Sequence, residues 1–168
     1  MRFFTPQWHS GDVPDDEAEA VPTRYAKHIA AIEPRLPSTL RELAIGPSLH
    51  DAKFGECRLD HRRRRVSLML RCGDQQTGYS DRQFIYDGVD LARVDRVALA
   101  SAVQDPETEI LYDEVDVADS RFIHRILFWP YREVELIFEN LQLSSQPRPN
   151  RSAELAEARY IEVGAPAV

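Results

Sequence analysis

Three apolar runs follow one another between residues 109 and 143: EILYDEVDV, RFIHRILFWP and REVELIFENLQL. The breaks between them, ADS and PY, are only three and two residues long. A chain reverses in so short a space as an antiparallel hairpin, whereas parallel strands need a crossover of roughly a dozen residues. This segment therefore commits the chain to antiparallel sheet. Upstream, VSLMLRC places Val66, Leu68, Leu70 and Cys72 on one face at a period of two. AKFGECRLD also alternates, with Phe54 and Glu56 on one side, Cys57 and Leu59 on the other, and a bulge allowed at Gly55. RQFIYDGVD is a third strand of this group. ARVDRVALASAV, through Val94, Val97, Leu99 and Val103, reads as strand rather than helix.

The first third differs. Phe3, Phe4 and Trp8 form a first strand or a clip that packs on the body, and the acidic stretch 11–22 reads as a solvated loop with room for one helical turn. Thr23 caps a helix whose inner face is Tyr25, Ile29 and Ile32, disturbed near its end by Pro34. Ser38 caps a second helix that buries Leu40 and Leu43. Residues 144–168 read as a tail with a short helix at 153–160. The expectation is an α+β fold and a single domain over 1–168. Its parts are a helical N-terminal part (1–47), a β-rich body (48–143) and a C-terminal tail (144–168). The helices pack on a mainly antiparallel sheet or sandwich of six or seven strands.

Composition narrows the function. The chain has 168 residues, 43% of them apolar and 29% charged, enough to build a core. Its formal net charge is −7, which argues against nucleic acid and against anionic membranes as partners. Cys57 and Cys72 give neither a disulfide framework nor a zinc set. No N-terminal apolar run has the length of a signal peptide, and none elsewhere approaches a membrane span. The expected setting is cytoplasmic, with both thiols free. Phosphate-cradling glycine loops and the G-x-S-x-G nucleophile motif are absent.

The ILYDEVDVADSRFIHRILFWP hairpin carries the most chemistry. With a three-residue loop at Ala118 to Ser120, Glu114 faces His124 across the strands. With a two- or four-residue loop, Glu114 faces Arg125 and His124 faces Val115. One reading is ordinary cross-strand charge pairing; the other is a carboxylate-oriented histidine. His50 and Asp51, at the entry to the β-rich body, form a second acid–histidine pair. Together His50, Asp51, Glu114 and His124 would make a two-histidine, two-carboxylate metal set, although no H-x-x-x-H, C-x-x-C or H-E-x-x-H spacing supports one. Two hairpin tips suit recognition: Arg62, Arg63 and Arg64 in the HRRRR turn, and Trp129 and Tyr131 around Pro130; the other reading of the first is a solvated turn that guards a sheet edge, and of the second a Trp129 that closes one end of the core.

Three motifs, FFTPQW at the start, LHDAKF at 49–54 and LYDEVDV…FIHRILF at 111–128, resemble those of an uncharacterised bacterial family of domains of unknown function. The similarity in motif order spans most of residues 1–143. Some β-rich proteins of this look lie near toxin genes and are suspected immunity proteins. The resemblance implies a bacterial protein of that type and supplies no activity. The expected function is non-enzymatic binding of a protein partner, of the kind an immunity-type inhibitor provides, with no cofactor. The alternative is a small metal-binding protein or metal-dependent hydrolase.

Overall fold

The structure, a computed structural model, describes residues 1–151 and 158–165. In chain order the elements are α1 (Pro6–Ser10), α2 (Asp15–Ile32), α3 (Ser38–Ile45), β1 (Lys53–Asp60), β2 (Arg65–Asp74), β3 (Gly78–Asp87), α4 (Arg96–Gln104), β4 (Glu109–Ala118), β5 (Arg121–Trp129), β6 (Arg132–Phe138), β7 (Asn140–Arg148) and β8 (Arg159–Val163). The strands form a five-stranded sheet, ordered β7-β3-β2-β1-β8, and a three-stranded sheet, ordered β4-β5-β6. All pairings are antiparallel except β1 with β8. The fold is α+β, as expected.

The two sheets share one core. Val66, Leu68, Leu70, Phe84 and Tyr86 from the larger sheet meet Val115, Ile126, Phe128, Leu136 and Phe138 from the smaller one. Ring contacts cross the gap from Tyr86 to Phe138 at 5.0 Å and from Phe54 to Phe128 at 5.4 Å. The arrangement is a sandwich rather than one curved sheet.

Several elements depart from the expectation, each for a physical reason. The bulge between Phe54 and Glu56 shifts the alternation, so Phe54 joins Cys57 and Leu59 on the buried face. Residues 96–104 are a helix, not a strand. Asp95 caps it, accepting from the Ala98 amide at 2.9 Å. Its buried residues Leu99, Ala102 and Val103 follow helical spacing, while Val97, needed for the strand reading, is 77% exposed.

The run 132–143 divides at Glu139. Phe138 and Leu141 are buried, but Glu139 and Asn140 between them are both exposed. Two outward residues in succession break the period of two, and the chain passes from one sheet to the other. The supposed tail supplies structure as well. β7 continues to Arg148 along β3, and β8 adds a parallel edge to β1. The helix expected at 153–160 falls largely outside the described residues, although Arg159 and Tyr160 belong to β8.

Only the start of the acidic stretch, residues 11–14, lies outside a helix. α2 begins at Asp15, with Asp15, Asp16 and Glu17 in its first turn, where the helix dipole favours carboxylates. Thr23, expected as a cap, and Pro22 both lie inside this helix. Pro22 has no N–H, so it cannot bond the carbonyl four residues back. That carbonyl, Ala18 O, accepts instead from the indole Nε1–H of Trp8 at 3.0 Å. The N-terminal segment is thus a clip, docked on α2 through the vacancy that a helical proline creates.

Candidate functional site

The β4–β5 turn settles the hairpin register. Ala118 pairs with Arg121, leaving a two-residue loop, so Glu114 lies opposite Arg125 and Val115 opposite His124. The cross-strand pairing of Glu114 with His124 does not occur, and the two side chains point to opposite faces of the small sheet. The register moved by one residue, which sends neighbouring side chains to different sides.

On the outer face Glu114 is 1% exposed. Its carboxylate accepts three amide N–H groups of the clip: Arg2 at 2.8 Å, Phe3 at 2.6 Å and Phe4 at 2.7 Å. Burying a carboxylate is costly unless its oxygens are satisfied, and three N–H donors satisfy it. Beside it Asp116 meets Arg2 at 3.2 Å, Arg125 at 3.3 Å and His28 at 3.2 Å. Burial opposes ionisation of Asp116, but the Val117 amide, Arg125 and His28 outweigh it and hold the carboxyl below the usual range. Tyr25 accepts the Val115 N–H through its hydroxyl at 2.9 Å, and burial pushes that phenol upward.

On the inner face His124 is fully buried. Its Nδ1 lies 2.8 Å from the Tyr86 hydroxyl and its Nε2 lies 3.1 Å from Asp113 Oδ2. With the ring proton on Nε2 donated to Asp113 Oδ2, Nδ1 accepts the Tyr86 hydroxyl proton. Burial drives the Tyr86 phenol well above its ordinary value, so that proton stays in place. Both ring nitrogens are thus hydrogen-bonded. Tyr86 and His124 are both 0% exposed, and their bond ties the two sheets together.

His50 and Asp51 lie elsewhere, at the entry to β1. They contact each other at 2.9 Å and both are well exposed. Asp51 has a left-handed backbone, φ 62°. The structure does not bring His50, Asp51, Glu114 and His124 together. Among the described residues no group of three or more His, Cys, Asp or Glu side chains is gathered for a metal ion.

The arginine turn divides in two. Arg62 and Arg63 are exposed, and their amides bond Asp60 Oδ1. Arg64, at φ 51°, folds back onto the end of β3. Its Nη2 donates to Gly88 O at 3.0 Å and its Nε to Val89 O at 3.3 Å, with Glu139 at 3.4 Å. Arg64 is therefore a clamp as well as a surface charge.

The second tip stands out. Trp129 and Tyr131 are 44% and 41% exposed and flank a cis Trp129–Pro130 peptide. Their rings meet at 5.2 Å. Tyr131 continues to His9 at 5.8 Å, His9 to Tyr112 at 5.7 Å, and Tyr112 to His50 at 5.5 Å. A ridge of five rings thus joins the β5–β6 tip, the N-terminal clip, β4 and the His50 turn. His9 and Tyr112 are the members that sequence reasoning missed. The signal available was Pro22 inside a helix, whose unused Ala18 carbonyl calls for a donor such as Trp8.

Comparison with family models, with curated proteins and with solved structures finds no match to this chain.

Proposed function

We propose that this protein is a non-enzymatic, cytoplasmic binding domain for a basic protein partner, acting as an immunity-type inhibitor does, by covering a surface. The observation that carries the reading is the pair Trp129 and Tyr131, exposed together on a tip anchored between two strands. Tryptophan and tyrosine are the residues that most often dominate interface energies. Successive ring pairs along the ridge are inclined at 72°, 70°, 62° and 73°. Such edge-to-face packing offers no run of coplanar faces on which successive bases would stack, and it suits an irregular protein surface. The net charge of −7 favours a basic partner and speeds its approach.

The test begins with affinity capture from a bacterial lysate, identification of the retained protein, and its purification. Calorimetry with the pure partner should then show that Trp129→Ser and Tyr131→Ser each weaken binding by roughly 30-fold or more. A partner bound equally well by both variants, or no retained partner, would refute the proposal.

A further inference from the structure

The clip and α2 enclose a shallow cleft of about 340 Å³ lined by Trp8, His9, Ala18, Glu19 and Tyr112. Two of its walls are aromatic and nearly perpendicular: the rings of Trp8 and Tyr112 lie 5.0 Å apart at 76°. Both are held in place before any ligand arrives. Trp8 is fixed by its bond to Ala18 O, and Tyr112 is backed by Phe4, stacked at 5.1 Å. Glu19, exposed at the edge, supplies a carboxylate. Residues 12–19 hold five carboxylates, Asp12, Asp15, Asp16, Glu17 and Glu19, of which Glu17 already meets Arg24 at 3.9 Å. Aromatic walls attract a cation through their quadrupoles, and a carboxylate at the mouth adds a charge partner.

We infer that this cleft receives an arginine side chain of the basic partner, its guanidinium seated in the corner that the perpendicular Trp8 and Tyr112 rings form and paired with Glu19. The inference deepens the protein-binding reading by placing a second anchor beside the Trp129–Tyr131 tip, reached along the ridge through His9.

The probes are N-acetyl-arginine methylamide and its neutral isostere, N-acetyl-citrulline methylamide. The readout is the indole N–H resonance of Trp8, assigned by comparison with Trp129→Phe. The arginine probe should shift this resonance saturably, and the citrulline probe should bind about tenfold more weakly. Glu19→Gln should weaken the arginine probe by about two- to fivefold, and Glu19→Arg should abolish the shift. Glu19 is exposed, so an unchanged melting temperature certifies that both variants fold. An unmoved Trp8 resonance, an equal response to citrulline, or indifference to Glu19→Arg would overturn the inference. The two proposals fail separately. A partner whose affinity depends on Trp129 but not on Glu19 removes the cleft alone. Arginine binding without any captured partner removes the protein-binding reading alone.

Discussion

Replacing Glu114 with glutamine exchanges one carboxylate oxygen for an amide nitrogen and should loosen the whole N-terminal clip. In the wild type one oxygen accepts from Phe3 and Phe4 and the other from Arg2. Glutamine keeps one acceptor, but as a neutral group, and a neutral bond is about half as strong as a charge-assisted one. Its nitrogen then meets either the Arg2 N–H or the other two amides, donor against donor. Three charge-assisted bonds are each worth roughly 1.5–3 kcal/mol, and relief from burying a charge offsets part of the loss. The net cost should be about 2–4 kcal/mol. For a chain of this size that is a fall in melting temperature of roughly 4–16 °C. If the clip releases before the body unfolds, the loss appears as hydrogen exchange instead. The amides of Arg2, Phe3 and Phe4 would lose protection by roughly 30- to 1,000-fold while β5 keeps its own. Glu114→Ala, which leaves all three amides without this acceptor, should cost more than Glu114→Gln. Unchanged melting together with unchanged protection of those amides in Glu114→Gln would refute the reasoning.

Four further outcomes are expected. His124→Gln should destabilise by about 2–4 kcal/mol in denaturant titrations, more than an exposed cross-strand pair would, because Tyr86 and Asp113 lose a buried partner; a loss below about 0.5 kcal/mol would contradict the relay. Arg63→Ser should stay within about 0.5 kcal/mol of wild type, whereas Arg64→Ser should cost about 1 kcal/mol through its bonds to Gly88 O and Val89 O, so equal effects would refute the division of the turn. Burial pushes the Cys57 and Cys72 thiols up to about 12, so a thiol reagent at pH 8 should find none in the native protein and two after denaturation. Asp116 is held below its ordinary 3.8, so its stabilisation is present above that pH and disappears as pH falls through the lower native value; Asp116→Asn should therefore flatten the acid limb of stability below that ordinary value.

What the sequence determined by itself was local. Alternating Val66, Leu68, Leu70 and Cys72 could bury only one face of a strand, and all four are buried. The short breaks at 118–120 and 130–131 could be nothing but hairpin turns, and both are. The tip at Trp129 and Tyr131 was legible as a turn, but whether Trp129 closes one end of the core or stands outside it was decided by the tertiary structure, which leaves both rings exposed. Tertiary structure decided everything that depends on one residue of register or on a partner distant in sequence. A two-residue loop rather than a three-residue one put Glu114 and His124 on opposite faces. It gave Glu114 to the amides of residues 2–4 and His124 to Tyr86, across separations that no local pattern encodes. The helix at 96–104 is hidden in the sequence because its apolar residues fit two periods, and only packing shows that Val97 is left outside. Proline removes a helical bond, so the sequence alone places a loop up to Pro22. The chain continues as helix there because Trp8, fourteen residues earlier, donates to the carbonyl that bond would have used.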